Sequence, residues 1–566
     1  MFPCQGDRYQ VDFPSKTGSF DSIYHIVTFS CALWNISASM NETALFRFSF
    51  PSWEESWSPR TLSSAPYLLG LALIMFTTYI WSTSNPSLKR LPFVNRPGFF
   101  SNARAKREYR DAVKPILQNA RKQFPNQPYR MTTEFGSVVM LQSEWFDEIR
   151  NTPSLSFLGT VSQDRICEIR GFEPASALGE NGELVQMIAR KQLTKMLNQV
   201  TAPLSEEAAL AVSVSMGEST EWHEVTLMPA ARDIIARMSS RVFLGEELAR
   251  NEEWLRIMKG YTVDMFRAFD VLTRYPTNLR PYIGWLFPEC RRVRDYYGRV
   301  KNLVEPVLKK REEMAQAALA AGQPAPEYND ALEWIKQESK ANNIKYDTTT
   351  FQLIISTVAV NTTTDALHST LVALLQHPGS LQAVRDEIVQ VLKTEGWKKT
   401  SLYNMKLMDS ALKETQRVRP FFLAMRRSVE ADTVLSDGTL LKKGSRLHID
   451  THRMVDPEVY ENPEEWKIDR FLELRSQPGK EHSAQLVTTN VDHFGFGHGE
   501  HACPGRFFAT NELKVALCHL LIKYDWELAP GTDTSFVHIG FNQRANPATK
   551  VLCRKRKTPE LDIDFI

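Results

Sequence analysis

Residues 496–505, Phe496-Gly497-His498-Gly499-Glu500-His501-Ala502-Cys503-Pro504-Gly505, admit few folds. Glycine adopts φ > 0 freely and lets backbone approach a flat ligand closely. Pro504 suits a first helical position, where its missing N–H costs nothing. A helix-compatible run follows it. This reading puts Cys503 at a helix N-terminus, where free N–H groups and the helix dipole favour a thiolate. The pattern therefore predicts a sulfur ligand set beneath a flat ring. His493, His498 and His501 leave a second reading open, a zinc cluster completed by Cys503, because His and Cys are the usual zinc ligands. That reading does not explain the glycine spacing.

The chain has 566 residues, a formal net charge of +2 and seven cysteines. Near-neutral charge argues against a nucleic-acid partner. The cysteines repeat no spacing, so neither a disulfide framework nor a zinc ribbon is indicated. Thr61 to Leu88 carries no charge. Within it, 65–82 is expected to be a transmembrane anchor, long enough to cross a bilayer with its flanks. Tyr67, Tyr79 and Trp81 sit where interfacial aromatics belong. Lys89, Arg90, Arg96, Arg104, Lys106 and Arg107 follow the span, whereas Arg47 and Arg60 before it are balanced by Glu54 and Glu55. The positive-inside rule then puts the C-terminal side in the cytosol and 1–64 in the lumen. Asn35 and Asn41 open glycosylation sequons in that segment. Pro92 and Pro97 stiffen a hinge over 83–100. From 101 to 566 no linker or repeat appears. Helical patterns dominate between Arg104 and Leu392, as at Leu303–Leu319 and Leu381–Leu392, and Asp437-Gly438 signals a hairpin between short strands. The expected fold class is mainly α with small β-sheets.

The cysteine loop resembles the haem-binding loop of the cytochrome P450 monooxygenases, Phe-Gly-x-Gly-x-Arg-x-Cys-x-Gly. His501 stands where that family usually has arginine. Other segments resemble the family in its own order. Lys413-Glu414-Thr415-Gln416-Arg417 contains Glu-x-x-Arg, which alone is an ordinary pair of helix-surface neighbours. Thr451-His452-Arg453-Met454-Val455-Asp456-Pro457 resembles its His-Arg-Asp-Pro stretch. Trp466-Lys467-Ile468-Asp469-Arg470-Phe471 resembles its Pro-Glu-Arg-Phe segment, with Asp469 in place of glutamate. Val358-Ala359-Val360-Asn361-Thr362-Thr363 resembles the distal-helix motif Ala/Gly-Gly-x-Asp/Glu-Thr-Thr.

The resemblance implies the family's fold over 101–566, preceded by the N-terminal transmembrane helix. It implies haem b, with Cys503 as axial ligand to the iron and Phe496 stacked near the thiolate. His501, Arg190 and Arg426 become candidates for holding haem propionates, although either arginine can equally be a solvated surface residue. Glu414, Arg417 and Arg470 would form a buried ion network behind the haem. Thr362 would hydrogen-bond in oxygen activation, and Asn361 takes the place of the usual acid. Ile355, Ala359 and Thr362 share one helical face. The alternative for these threonines is a helix interior in which hydroxyls bond back to preceding carbonyls. Phe421 and Phe422, after Arg419-Pro420, stand where the family lines its substrate pocket; as strand residues they can equally be core.

The activity implied is hydroxylation or oxidation of a hydrophobic small molecule with O2. Electrons from NADPH would arrive through NADPH–cytochrome P450 reductase, with cytochrome b5 as a second partner. Likeness to fungal members resembling ent-kaurene oxidase suggests a terpenoid or other secondary metabolite. A single-pass protein of the endoplasmic reticulum membrane, in contact with lipid, is expected. Two alternatives stay open. One is a haem-thiolate isomerase or dehydratase that uses no O2, which Asn361 favours and Thr362 opposes. The other is a non-enzymatic haem- or zinc-binding membrane protein.

Overall fold

The computed structural model describes residues 86–98, 101–175 and 182–566, together with the helical positions Tyr67, Gly70, Leu71, Leu73 and Ile74. The chain divides into two units, Met1–Ser84 and Asn85–Ile566. The expected lumenal segment 1–64, most of the expected span 65–82 and part of the hinge lie outside the described residues. Among the described residues, no helix is long and apolar enough to cross a membrane.

The second unit is mainly helical. Its longer helices are α1 (Ala103–Gln123), α2 (Thr194–Met216), α3 (Leu227–Ala249), α4 (Glu252–Thr273), α5 (Pro288–Ala320), α6 (Ala331–Asn342), α7 (Thr348–Gln376), α8 (Pro378–Glu395), α9 (Lys406–Val418) and α10 (Arg506–Lys523). The patterns at Leu303–Leu319 and Leu381–Leu392 lie in α5 and α8. Helix α7 begins where the Asp347 side chain accepts from the Thr350 N–H at 2.6 Å, an N-cap. It is buried on nearly every side, as an interior helix must be when apolar and small residues surround its whole circumference. Helices α3, α4, α5 and α9 pack on it. Helix α10 is buried from Leu513 to Ile522 and packs on α2 and α7.

The sheets are small. Strands β1 (Tyr129–Thr133), β2 (Gly136–Leu141), β3 (Leu155–Ser156), β5 (Ala424–Val429) and β8 (Arg446–Asp450) form one sheet in the order β1-β2-β8-β5-β3. Strand β4 (His223–Thr226) joins β9 (Tyr524–Leu528) and β12 (Lys550–Lys555) in a second, with β12 central. The expected hairpin is present: β6 (Thr433–Val434) pairs with β7 (Leu440–Leu441), and Gly438 takes φ +83° between them. A further ribbon joins β10 (Val537–Ile539) to β11 (Asn542–Arg544). Residues 185–200 and 351–375 contribute to one large core that also holds α3, α4 and α10, while Leu141, Phe146, Val429, Ile449 and Phe494 anchor a separate one under the five-stranded sheet. The cysteine loop runs between these two cores.

Candidate active site

The loop is folded by its own backbone. The Gly497 N–H donates to Phe494 O at 2.8 Å, Ala502 N–H to Gly499 O at 3.0 Å, and Cys503 N–H to Phe496 O at 2.7 Å. Gly497 and Gly499 take φ +70° and +74°, values that an L side chain rarely adopts. A Cβ on Gly499 would also lie 2.6 Å from Arg150 Cβ and 2.8 Å from Arg150 O. Thus the spacing of the glycines is required twice, by φ and by contact with the segment after β2. Phe496 is partly buried against the large core.

Helix α10 opens later than the sequence suggests. Gly505 is its N-cap and Arg506 its first residue, so Pro504 precedes the helix and does not occupy the first helical position. The chain turns through Pro504 and Gly505 before the helix begins. Cys503 still benefits from the helix start. Burial pushes its thiol up, while the Gly505 and Arg506 N–H groups and the Arg506 guanidinium pull it back down. Arg506 also donates to Cys503 O at 2.9 Å and to Val487 O at 3.0 Å, clamping the loop.

The three histidines of the zinc alternative turn to three different partners. His493 Nε2 pairs with Lys413 O at 3.1 Å, His498 Nε2 with Arg150 Nη1 at 3.1 Å, and His501 Nε2 with Leu155 O at 3.1 Å. Burial holds all three below the ordinary histidine range. Among the described residues no group of three or more His, Cys, Asp or Glu side chains is arranged to hold a metal ion. The zinc cluster is therefore a reading that the geometry corrects.

Arg190 lies in a π-helical turn, Ile188–Leu193, and donates from Nη2 to Glu500 O at 2.8 Å. Its charge is also among those that lower the His501 and Arg506 values. Arg426 faces elsewhere: its guanidinium lies over the Phe135 ring, 4.9 Å from the centroid, and bears on Glu134 and Tyr109. The neighbouring Arg427 takes the loop side, because successive strand residues point to opposite faces. Arg427 is 3% exposed, lies 5.8 Å over the Phe146 ring, and is the largest charged influence on His501 after burial. It donates to Arg426 O at 2.8 Å, yet its Nε finds no partner. Among the described residues no carboxylate pairs with it, and burial lowers it to about 10. Sequence reasoning named Arg426 and missed Arg427. The available signal was parity, since Arg427 shares its face with Val429, an apolar strand residue.

Behind the loop the structure brings Glu414, Arg417 and Arg470 together. Glu414 and Arg417 have fully buried side chains joined by two bonds of 2.8 Å. Arg470 Nε donates to Glu414 Oε1 at 2.9 Å, as does the Lys467 N–H at 3.1 Å. Arg417 also reaches the carbonyls of Met454, Pro463 and Glu465 at 2.8, 2.7 and 3.1 Å. Lys413, one residue before Glu414, is buried as well. Its ammonium donates to the carbonyls of Ser483, Gln485 and Thr488 at 3.1, 2.7 and 3.1 Å, so it ties down the strand of chain that leads into the loop.

On α7, Val358 and Thr362 are exposed in a stretch otherwise buried or half-buried, and Ala359 is partly buried. Ile355 is only 4% exposed, so the open stripe runs through Val358 and Thr362 and not through Ile355. Thr362 Oγ1 donates to Val358 O at 3.3 Å, the back-bonding geometry weighed above. Asn361 lines a cavity of about 470 Å³. The Phe421 and Phe422 rings meet edge to face at 4.6 Å, with Phe422 exposed and Phe421 half-buried under Arg544.

A mainly helical body with a glycine-shaped cysteine loop, a buried Glu–Arg network and a threonine-bearing interior helix defines a haem-thiolate protein. The family model described as Cytochrome P450 matches residues 185–549. The chain is 43% identical over 478 residues to the cytochrome P450 monooxygenase hepE of Aspergillus oryzae, an alignment that covers 84% of this chain and 87% of the relative. It is 41% identical over 513 residues to the cytochrome P450 monooxygenase eqxH of Fusarium heterosporum, covering 89% and 98%. Its fold matches retinoic acid-bound cyanobacterial CYP120A1 with a TM-score of 0.60 at 18% identity, over 80% of this chain and 96% of the other. The chain belongs to the cytochrome P450 family, and it is a monooxygenase of that family, an oxidoreductase whose haem b is held through a cysteine thiolate.

The residues present fit that cofactor. Haem carries two propionates, and Arg427 offers a buried guanidinium with an unused Nε and no carboxylate partner beside the loop. A buried, unpaired charge is costly, and a bound carboxylate removes that cost.

Proposed function

We propose that the protein hydroxylates or otherwise oxidises a hydrophobic small molecule, a terpenoid or another fungal secondary metabolite. Electrons come from NADPH through NADPH–cytochrome P450 reductase, with cytochrome b5 as a second donor. The observation that carries this reading is the opening at Val358 and Thr362 in an otherwise buried interior helix. It offers a hydroxyl and small apolar groups on one stripe.

When bound, haem would supply the oxidising chemistry, with Cys503 as its thiolate ligand. The chain does the rest. Cys503 Sγ would hold the iron, with Phe496 packed beside it. Arg427, His501 and Arg190 would hold the propionates. Thr362 exchanges its 3.3 Å bond to Val358 O for proton delivery, and Asn361 orients water where an acid would otherwise relay. Ile355, Ala359, Phe421 and Phe422 shape the wall against the substrate. Residues 65–82 anchor the protein in the endoplasmic reticulum membrane with the body in the cytosol. Support for the anchor comes from the uncharged run and from Tyr67, Leu71, Leu73 and Ile74, which are helical, apolar and more than half exposed.

One experiment tests this reading. The reduced, CO-treated protein should show a band at about 450 nm, which Cys503→Ala should abolish together with turnover. With reductase and extracts of a strain lacking the gene, the monooxygenase should consume NADPH in step with product. Product without NADPH or O2 consumption would overturn it.

A further inference from the structure

The cavity of about 470 Å³ beside α7 has an unusual charge balance. Its wall includes Arg232 from α3, Phe266, Arg267 and Asp270 from α4, Glu289 from α5, Asn361 from α7 and Arg544 from β11; Arg267 lies 3.6 Å from Asp264. The two carboxylates are already engaged. Asp270 bonds to Arg274 at 2.6 Å, and Glu289 lies 3.6 Å from Arg292. Arg232 and Arg544 have no such partner: among the described residues neither forms an ion pair or a side-chain hydrogen bond. Arg232 Nε is buried and unbonded. Asp233, next to Arg232, pairs with Lys259 at 3.0 Å, and Asp365, near Arg544, accepts from the Ala545 N–H at 2.8 Å.

The Arg544 guanidinium lies over two rings, 4.9 Å from the Phe266 centroid and 5.7 Å from that of Phe421. Cation–π contact fixes the plane of a guanidinium while its N–H edge stays free to bind. Burial is the main cause that depresses Arg544; Asp365 offsets it in part and Arg232 adds to it, while Arg232 is depressed by burial and partly restored by Asp233. Two half-buried like charges with unused donors, set on one partly apolar cavity wall, favour an anion between them. The volume falls in the range of small-molecule sites.

We propose that this cavity takes a carboxylate of the substrate, clamped between Arg232 and Arg544 beside Asn361. Phe266, Val263 and Val271 flank its apolar body. The inference rests on the monooxygenase reading and narrows its substrate class to hydrophobic carboxylic acids. It also gives the exchange of an acid for Asn361 a physical sense: a third fixed carboxylate there would neutralise the arginines that the substrate acid needs.

The test uses the haem-loaded, full-length protein and a series of ω-imidazolyl alkanoic acids of increasing chain length, each beside its methyl ester. Imidazole binding to haem is read from the Soret shift, so the probe does not depend on knowing the substrate skeleton. At one or two chain lengths the acid should bind at least tenfold more tightly than its ester. Arg544→Gln and Arg232→Gln should each remove most of that difference and leave ester binding unchanged, and Arg544→Lys should keep part of it. Equal affinity of acid and ester at every length in the unaltered protein overturns the proposal, and this comparison needs no variant to fold. An acid preference that survives both glutamine variants overturns the assignment to these arginines. Failure of every imidazole to shift the Soret band, or absence of the thiolate CO band, would instead count against the haem-thiolate reading itself.

Discussion

Behind Cys503, Glu414 Oε1 accepts from Arg417, Arg470 and the Lys467 N–H, Oε2 accepts from Arg417, and Arg417 uses Nε and both terminal nitrogens. Along α7, an equally buried element, Gln352, Ser356, Thr357, Thr364, His368, Ser369 and Thr370 have side-chain polar atoms with no partner among the described residues. The first region is a closed network, which over-determines one geometry. The second leaves donors and acceptors for groups outside the protein, and hydroxyls in a helix can bond to water or to a ligand as its shape changes. A closed network behind the cysteine loop thus contrasts with an interior helix whose polar side chains are left uncommitted. Mutations should separate the two regions by kind of damage as well as by size.

The largest effect is expected in the network. Glu414→Ala strands two guanidinium groups at a cost of roughly 3–5 kcal/mol. The product should be haem-free or aggregated protein; a normal haem content in this variant would show that the network is not what holds the loop. Arg427→Met tests whether a haem propionate is the partner of this buried guanidinium. Haem transfer to a scavenger should accelerate by roughly tenfold, the worth of about one charge-assisted hydrogen bond. The haem-free protein should melt no lower than its parent, because an unpaired buried charge has been removed. A drop in the melting temperature of the haem-free form would move Arg427 into the closed class.

Thr362→Ala lies on the interior helix. Haem content and the CO band should be unchanged, while product formed per NADPH falls severalfold and hydrogen peroxide rises. Unchanged coupling would assign proton delivery to water or substrate. The smallest effect concerns Asp365 on the same helix. Burial raises it to about 6, against the Ala545 N–H and the charge of Arg544. The folded value lies above the unfolded one, so its contribution to stability is present in full below the ordinary carboxylate range and is lost as pH rises through about 6. Melting curves should therefore fall between acid and neutral pH, and Asp365→Asn should flatten that fall. An identical pH profile in the variant would show that Asp365 is ionised in the fold.

The loop and its network were more legible than the interior helix, for a physical reason. Cys503, the glycines and Glu414–Arg417 act through residue type at fixed local spacing, which a sequence displays. Arg427 was missed because Arg426 and Arg427 are alike in type and differ only in strand face, which depends on pairing with β8. The helix start was placed early because Pro504 permits a helical position without requiring one. The exposed stripe on α7 was displaced from Ile355 to Val358 because packing by neighbouring helices, and not periodicity, decides which side of an all-round apolar helix is covered. The clamp of Arg232 and Arg544 joins residues more than half the chain apart and has no local pattern at all.

Gly499 has a consequence for how such chains can be recombined. The space for a Cβ there is taken by Arg150, while the Glu500 N–H donates to the Asn151 side chain at 3.1 Å and His498 meets Arg150. The lock and its key lie in distant thirds of the gene. A chimera whose crossover falls between them inherits one half from each parent. Crossovers that keep 150–151 and 498–500 from the same parent should yield far more haem-loaded protein than those that part them.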